Sequence, residues 1–294
     1  MQVRLARILL RFFAALPLAW IHRLGEGVGR LLVWIPNRQR RNALINIRLC
    51  FPERSEAERV RLRDRSMAEF AKTFLEVGAL WMRPPDETLS LIRDVAGAEV
   101  LERKPTDRGI IVLSPHLGAW ELAGLYLASR GPTTSMYRPQ GEFDELVLNA
   151  RQRSGARLVP ADPSGIRQML RALRQGEYVG ILPDQEPKVD KAAVFAPLFG
   201  VPAYTMLLVN GLARKTGARV VFLFAERLSR GEGFRMHCLP AADNVAAEDP
   251  VAAATALNDG VAACVRICPE QYQWSYKRFR KRPEGEGKVY VGPL

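Results

Sequence analysis

The sequence predicts an α/β fold with a mainly parallel central sheet flanked by helices, together with a helical, membrane-associating N-terminal part. Three observations predict it. From Gly109 onward, short apolar runs at 110–114, 133–137, 157–159, 178–182 and 219–224 alternate with helical periodicity at 117–129, 142–153, 164–175 and 203–216, which is the layout of βαβ units. Of the 294 residues, 48% are hydrophobic, enough to bury a substantial core. The first 65 residues carry 14 Arg against five acidic residues, so +9 of the total net charge of +12 gathers there.

The chain reads as a single domain, 1–294, in three parts: an apolar and basic segment at 1–35, a helical part at 36–108 and an α/β core at 109–294. No repeat or low-complexity linker divides it. Residues 8–35 are largely apolar but are broken by Arg11, Pro17, His22, Arg23, Glu26 and Arg30. No run reaches the roughly 18–20 apolar residues of a spanning helix, and no small-residue cleavage site follows a clean apolar stretch. Two readings stand. One is a helix lying in a membrane interface, with Leu9, Phe12, Phe13, Leu16 and Trp20 on one side and Arg4, Arg7 and Arg11 reaching headgroups. The other is a core helix packed on the domain. The basic knot at 37–41 suits anionic lipid or a solvated helix surface. Further along, 234–239 reads as an edge strand and 250–267 as a late Ala-rich helix.

Most of the basic residues are Arg, whose planar fork suits phosphates and carboxylates. The partners to expect are nucleic acid, phospholipid headgroups or phosphorylated substrates. Nucleic acid is disfavoured, because the charge sits beside the apolar segment and near 277–282 rather than along a solvent-facing helix. Cys50, Cys238, Cys264 and Cys268 form neither a CxxC pair nor a disulfide-like framework, and there are three histidines. They read as reduced thiols of a cytosolic compartment, with no metal site.

Directly after the first run of the core comes Ser114-Pro115-His116-Leu117-Gly118-Ala119-Trp120-Glu121. Histidine is the side chain suited to take a proton near neutral pH, and a nearby carboxylate can fix its tautomer. Five residues apart on a helix, two side chains diverge by about 140°. His116 and Glu121 can therefore meet only if His116 lies in the turn before the helix and Glu121 about one turn inside it. The alternative is a capping His beside an unrelated surface Glu. In open α/β sheets ligands bind outside the carboxyl ends of the strands, and His116, Tyr137-Arg138-Pro139 and Pro183-Asp184-Gln185 all fall there. Arg138 reads as a phosphate or oxyanion ligand or as a salt bridge. Arg151 and Arg153 read as phosphate ligands or ordinary helix-end arginines, and Asp184 as a binder of a sugar hydroxyl or amide, or a turn residue. The apolar stretch 195–204 reads as a loop receiving an acyl chain or as core cover.

With these residues in hand, the chain resembles the late acyltransferases of lipid A biosynthesis, the lauroyl or myristoyl transferases of the lysophospholipid acyltransferase superfamily. The resemblance rests on Asn42-x3-Asn46-Ile47, Cys50-Phe51-Pro52-Glu53, His116-x4-Glu121, Tyr137-Arg138-Pro139, Arg151-x-Arg153-Ser154 and Pro183-Asp184-Gln185. It extends to Val194-Phe195-x-Pro197-Leu198-Phe199-Gly200 and to Gln271-Tyr272-Gln273-Trp274-x-Tyr276-Lys277-Arg278-Phe279. It implies a glycerolipid acyltransferase-like fold and transfer of a fatty acyl group from acyl carrier protein to a hydroxyl of a lipid A precursor. The place implied is the cytoplasmic face of a bacterial inner membrane. In that chemistry His116 takes the hydroxyl proton, Glu121 orients the ring, and neither a cofactor nor an acyl-enzyme is needed. Arg138, Arg151 and Arg153 engage phosphates, while Asp184, with Gln185 beside it, meets the glucosamine core. Many members begin with a clearer transmembrane helix, and the segment 186–190 is free to differ with the acceptor. The same fold acting on a lysophospholipid or amino-acid lipid, or a lipid-binding relative without catalysis, are the alternatives.

Overall fold

The structure, a computed structural model, describes residues 2–103, 108–139, 141–187 and 192–291; of the segment 186–190, residues 188–190 lie outside it. The N-terminal part is helical: α1 (Gln2–Ala15), α2 (Leu18–Trp34), α3 (Arg38–Cys50), α4 (Glu56–Met82) and the short α5 (Pro85–Leu89). Pro17 ends α1 and starts α2 afresh, as expected of a residue without an N–H. The apolar segment is thus two helices rather than one. The start of α4 is fixed by a capping box, with the Ser55 hydroxyl accepting from the Glu58 amide and the Glu58 carboxylate accepting from the Ser55 amide at 2.8 Å. Asn37, expected in a basic knot, caps α3 by accepting from the Arg40 amide at 2.8 Å. Gly29 brings α2 hard against α4, since a Cβ there would stand 2.3 Å from the Ala68 Cα.

The core follows as β1 (Ile92–Ala96), β2 (Ile110–Leu113), α6 (Trp120–Arg130), β3 (Thr133–Tyr137), α7 (Asp144–Gln152), β4 (Arg157–Pro160), α8 (Pro163–Arg174) and β5 (Tyr178–Ile181). It continues with β6 (Ala193–Leu198), β7 (Val201–Met206), α9 (Leu208–Thr216), β8 (Arg219–Arg227), β9 (Phe234–Pro240) and α10 (Pro250–Ile267). Seven strands form one sheet in the order β1-β9-β8-β2-β5-β3-β4, and β6 and β7 form a separate hairpin. β8, β2, β5, β3 and β4 run parallel, whereas β9 is antiparallel to β8. Ile110 to Leu113 and Val179 are buried completely or nearly so, as parallel strands covered on both faces require.

Three expectations need correction. The strand at 234–240 is not at the edge, because β1 pairs parallel to its far side; β1 carries only a weak alternation, Ile92-Arg93-Asp94-Val95-Ala96, and reads as part of a helical region. The helix expected at 203–216 begins only at Leu208, its first residues being β7. The stretch 195–204 is no loop but the β6–β7 hairpin, turning at Phe199 and Gly200 with φ of 51° and 79°, the left-handed pair of a tight hairpin. Phe199 packs on Phe51 at 5.2 Å, so the hairpin covers core.

On α1 and α2 the side turned away from α4 is apolar and exposed: Leu5, Ile8, Leu9 and Phe12, then Trp20, Leu24, Leu31 and Trp34, the last 84% exposed. Phe13 and Leu16, expected on that face, are half-buried instead. No helix among the described residues is long and apolar enough to cross a membrane.

Candidate active site

His116 leaves the carboxyl end of β2 in a turn, and Glu121 lies in the first turn of α6, as the spacing required. The turn is shaped by Gly118, at φ 60°, where any Cβ would stand 1.9 Å from the Ala225 carbonyl oxygen. The two side chains nevertheless take different partners. His116 Nδ1 lies 2.8 Å from Asp184 Oδ1, and the His116 amide donates to Asp184 Oδ2 at 2.9 Å. Asp184, just past the end of the neighbouring strand β5, thus makes the ring contact expected of Glu121, and it is almost enclosed, at 2% exposure. Burial pushes its carboxyl up, but the His116 ring and these hydrogen bonds outweigh burial and hold it below the usual range. An ionised Asp184 can only accept, so Nδ1 carries the proton and Nε2 keeps its lone pair. Gln185 Nε2 stands 3.1 Å from that Nε2 and donates to Gln273 Oε1 at 3.1 Å, so its two amide hydrogens are both accounted for.

Glu121 accepts from Arg151 Nε at 3.0 Å and Nη2 at 2.5 Å, and from the Trp81 indole at 3.0 Å. Burial would raise its carboxyl, yet the Arg151 charge and these donors keep it below the usual range. Arg151, raised in turn by Glu121 against its own burial, is braced by a carboxylate rather than turned to a phosphate. Arg153 donates to the Leu80 and Arg83 carbonyl oxygens, at the C-terminal end of α4, where a cation is favoured. Arg138 is exposed just past β3.

Three further residues had no place among the expected site residues, although Tyr272 and Gln273 lie in the motif at 271–279. Tyr272 is buried beside Asp184, its phenol pushed well above the usual range by burial and by that carboxylate. Gln273 reaches the site because Asn42 and Asn46 hold its segment, donating to the carbonyls of Ser275, Trp274 and Tyr276 at 3.2, 2.6 and 2.7 Å. Arg227, fully enclosed, donates to the Gly118 carbonyl at 2.9 Å, to Thr73 Oγ1 at 2.5 Å and to both oxygens of Glu76, which His22 meets from α2 at 2.9 Å. That guanidinium ties the His116 turn to α4 and α2.

Beneath Glu121 a cavity of about 90 Å³ runs between the sheet and α6, several times the ~10–15 Å³ one water needs. Val112, Gly180 and Leu223 form its sheet wall and Gly124 and Leu127 its helix wall, with Leu158 closing one end, while Ser114, Trp120 and Glu121 join it to the His116 turn.

A base paired with an ionised carboxylate beside an apolar cavity suits proton removal from a hydroxyl that attacks an acyl group. Sequence comparison points the same way. The family pattern of the bacterial lipid A biosynthesis acyltransferases matches residues 2–281. A lipid A biosynthesis lauroyltransferase of Escherichia coli (strain K12) is 32% identical over 94% of this chain and 90% of its own length. A lipid A biosynthesis myristoyltransferase of the same organism is 32% identical over 91% and 82%, and a palmitoleoyltransferase 28% identical over 91% and 87%. The chain is an acyltransferase and belongs to the bacterial lipid A biosynthesis acyltransferase family.

Proposed function

We propose that this protein transfers a fatty acyl chain from the thioester of acyl carrier protein to a hydroxyl of a lipid A precursor, with His116 as general base and Asp184 as the carboxylate that positions it. The observation that carries this reading is the Nδ1 contact to a buried, ionised Asp184, which leaves Nε2 facing Gln185 as the proton acceptor. In the reaction the acceptor hydroxyl takes the place of the Gln185 amide at Nε2. Its oxygen attacks the thioester carbon, its proton passes to Nε2, and the carbonyl electron pair moves onto oxygen. Collapse breaks the C–S bond, and the leaving thiolate takes the proton back from the imidazolium. No acyl-enzyme and no cofactor enter. Glu121 fixes Arg151 at the cavity mouth, with Nη1 of its fork outside the paired contacts.

Incubating the purified protein with a lipid A precursor and a mixture of acyl carrier protein thioesters, followed by mass spectrometry, tests this directly. One added acyl mass is expected, absent for His116→Ala; no addition by a folded protein overturns the reading.

The cavity below Glu121 holds the donor chain in this reading. Gly124 sits inside α6, where Gly costs about 1 kcal/mol relative to Ala, and a Cβ added there meets nothing within 4 Å. Gly124→Leu is expected to shorten the chain transferred without lowering the melting temperature, as mass spectrometry of the product and thermal unfolding will read.

The exposed faces of α1 and α2 lie on the cytoplasmic surface of the inner membrane in the same reading, with Arg4, Arg11 and Arg38 against anionic headgroups. Each large apolar side chain buried in lipid contributes about 1.5–3 kcal/mol. The pair Leu31→Asp and Trp34→Asp is expected to weaken co-sedimentation with anionic vesicles by about 10²-fold or more; unchanged binding would remove this surface.

A further inference from the structure

Ser114 ends its hydroxyl in the cavity shared with Trp120 and Glu121, and its Oγ is buried with no hydrogen-bond partner among the described residues. A buried hydroxyl without a protein partner takes its hydrogen bond from whatever enters the cavity it faces. The amide of the same residue is satisfied, donating to the Ile181 carbonyl at 3.0 Å and prolonging the β2–β5 pairing. The orphan is therefore the side chain alone. By the alternation of a strand, it falls on the face of Val112, which lines the cavity, one residue pair nearer the carboxyl edge where His116 stands.

Among the other polar groups around the cavity, Glu121 pairs with Arg151 and Trp81 and the Arg153 Nη atoms with the α4 carbonyls, while Arg153 Nε is, like Ser114 Oγ, buried without a partner among the described residues. No base stands within hydrogen-bond distance of Ser114 Oγ, so nothing in the structure activates it as a nucleophile. It remains a hydroxyl donor at the acyl end of the site, and a fatty acyl thioester offers one oxygen there.

From these placements we infer that Ser114 is a further catalytic residue of this enzyme: its hydroxyl donates to the thioester carbonyl oxygen of the donor and strengthens that bond as the oxyanion forms. The inference rests on the reading of the cavity as the donor-chain site. It explains the hydroxyl without a protein partner as a group that finds its partner in the substrate, a contact made during transfer. A hydroxyl carried on the first carbons of the acyl chain would offer similar chemistry, and the choice of donors separates the two.

The test compares the wild type with Ser114→Ala and Ser114→Thr. Each is assayed with saturated and 3-hydroxylated acyl carrier protein thioesters of equal length, with melting temperatures measured alongside. Ser114→Ala is expected to lower kcat about 10²-fold for both donors, with KM and the melting temperature little changed. Ser114→Thr is expected to restore most of the rate. A wild-type rate in Ser114→Ala overturns the inference. So does a loss confined to the hydroxylated donor, or a loss accompanied by a lowered melting temperature, which would mark a structural role. Gly124→Leu, run in parallel, separates the premise from the inference: an unchanged chain-length preference overturns the cavity reading itself, whereas a shortened preference beside an unimpaired Ser114→Ala removes Ser114 alone.

Discussion

An Asp184→Asn variant is expected to fold and to lose about 10³-fold or more in transfer rate. The carboxamide keeps the size of the side chain but offers an N–H where the imidazole Nδ1–H now donates. The ring must then carry its proton on Nε2, the atom that has to be bare, and a general base in the wrong tautomer is nearly inert. The outcome separates the two carboxylates of the site. Asp184 touches the ring at 2.8 Å, whereas Glu121 is spent on Arg151 and Trp81. Nitrogen NMR of ring-labelled protein should therefore show the His116 tautomer altered in Asp184→Asn and preserved in Glu121→Gln. A preserved tautomer with full activity in Asp184→Asn would return the positioning role to Glu121.

Arg227→Ala is expected to cost about 3–5 kcal/mol, because it leaves the fully buried Glu76 with His22 as its remaining partner and no guanidinium to balance its charge. The same knot gives the protein a pH dependence. Burial alone would raise the Glu76 carboxyl, but Arg227 and His22 hold it below its usual value of 4.5. A depressed carboxylate stabilises the fold fully above the unfolded value and loses that contribution as pH falls through the folded one. Melting temperature should therefore hold down to about pH 4.5 and drop steeply below it, with a shallower drop in Arg227→Ala. A parallel acid slope in the variant would show that the pair contributes nothing to acid stability.

Much of the site was legible because it depends on which edge of a parallel sheet a residue occupies. The runs ending at Leu113, Tyr137 and Ile181 place His116, Arg138 and Asp184 on one edge without any knowledge of side-chain contacts. The pairing was not legible. His116 and Glu121 are close in sequence and so invite coupling, while Asp184 is 68 residues away and reaches the ring only because β5 lies beside β2. The roles of Arg151 and Arg153 were hidden for a related reason: a guanidinium near an anionic substrate and one bracing a carboxylate or capping a helix have the same local sequence. The β6–β7 hairpin was missed because its apolar residues alternate too little for a half-exposed sheet, being covered by α10 and by Phe51 and Trp274.

The two faces of α2 bear on how a tractable sample of this enzyme can be prepared. Its outer face carries Trp20, Leu24, Leu31 and Trp34 in the open, which invites removing the first 35 residues to gain solubility. Its inner face carries His22 on Glu76 and Gly29 pressed to the α4 backbone. A shortened chain would bare α4 and loosen the guanidinium that shapes the His116 turn. Soluble, active protein is to be sought by recolouring the outer face of α2 with polar side chains, leaving the helix where it is.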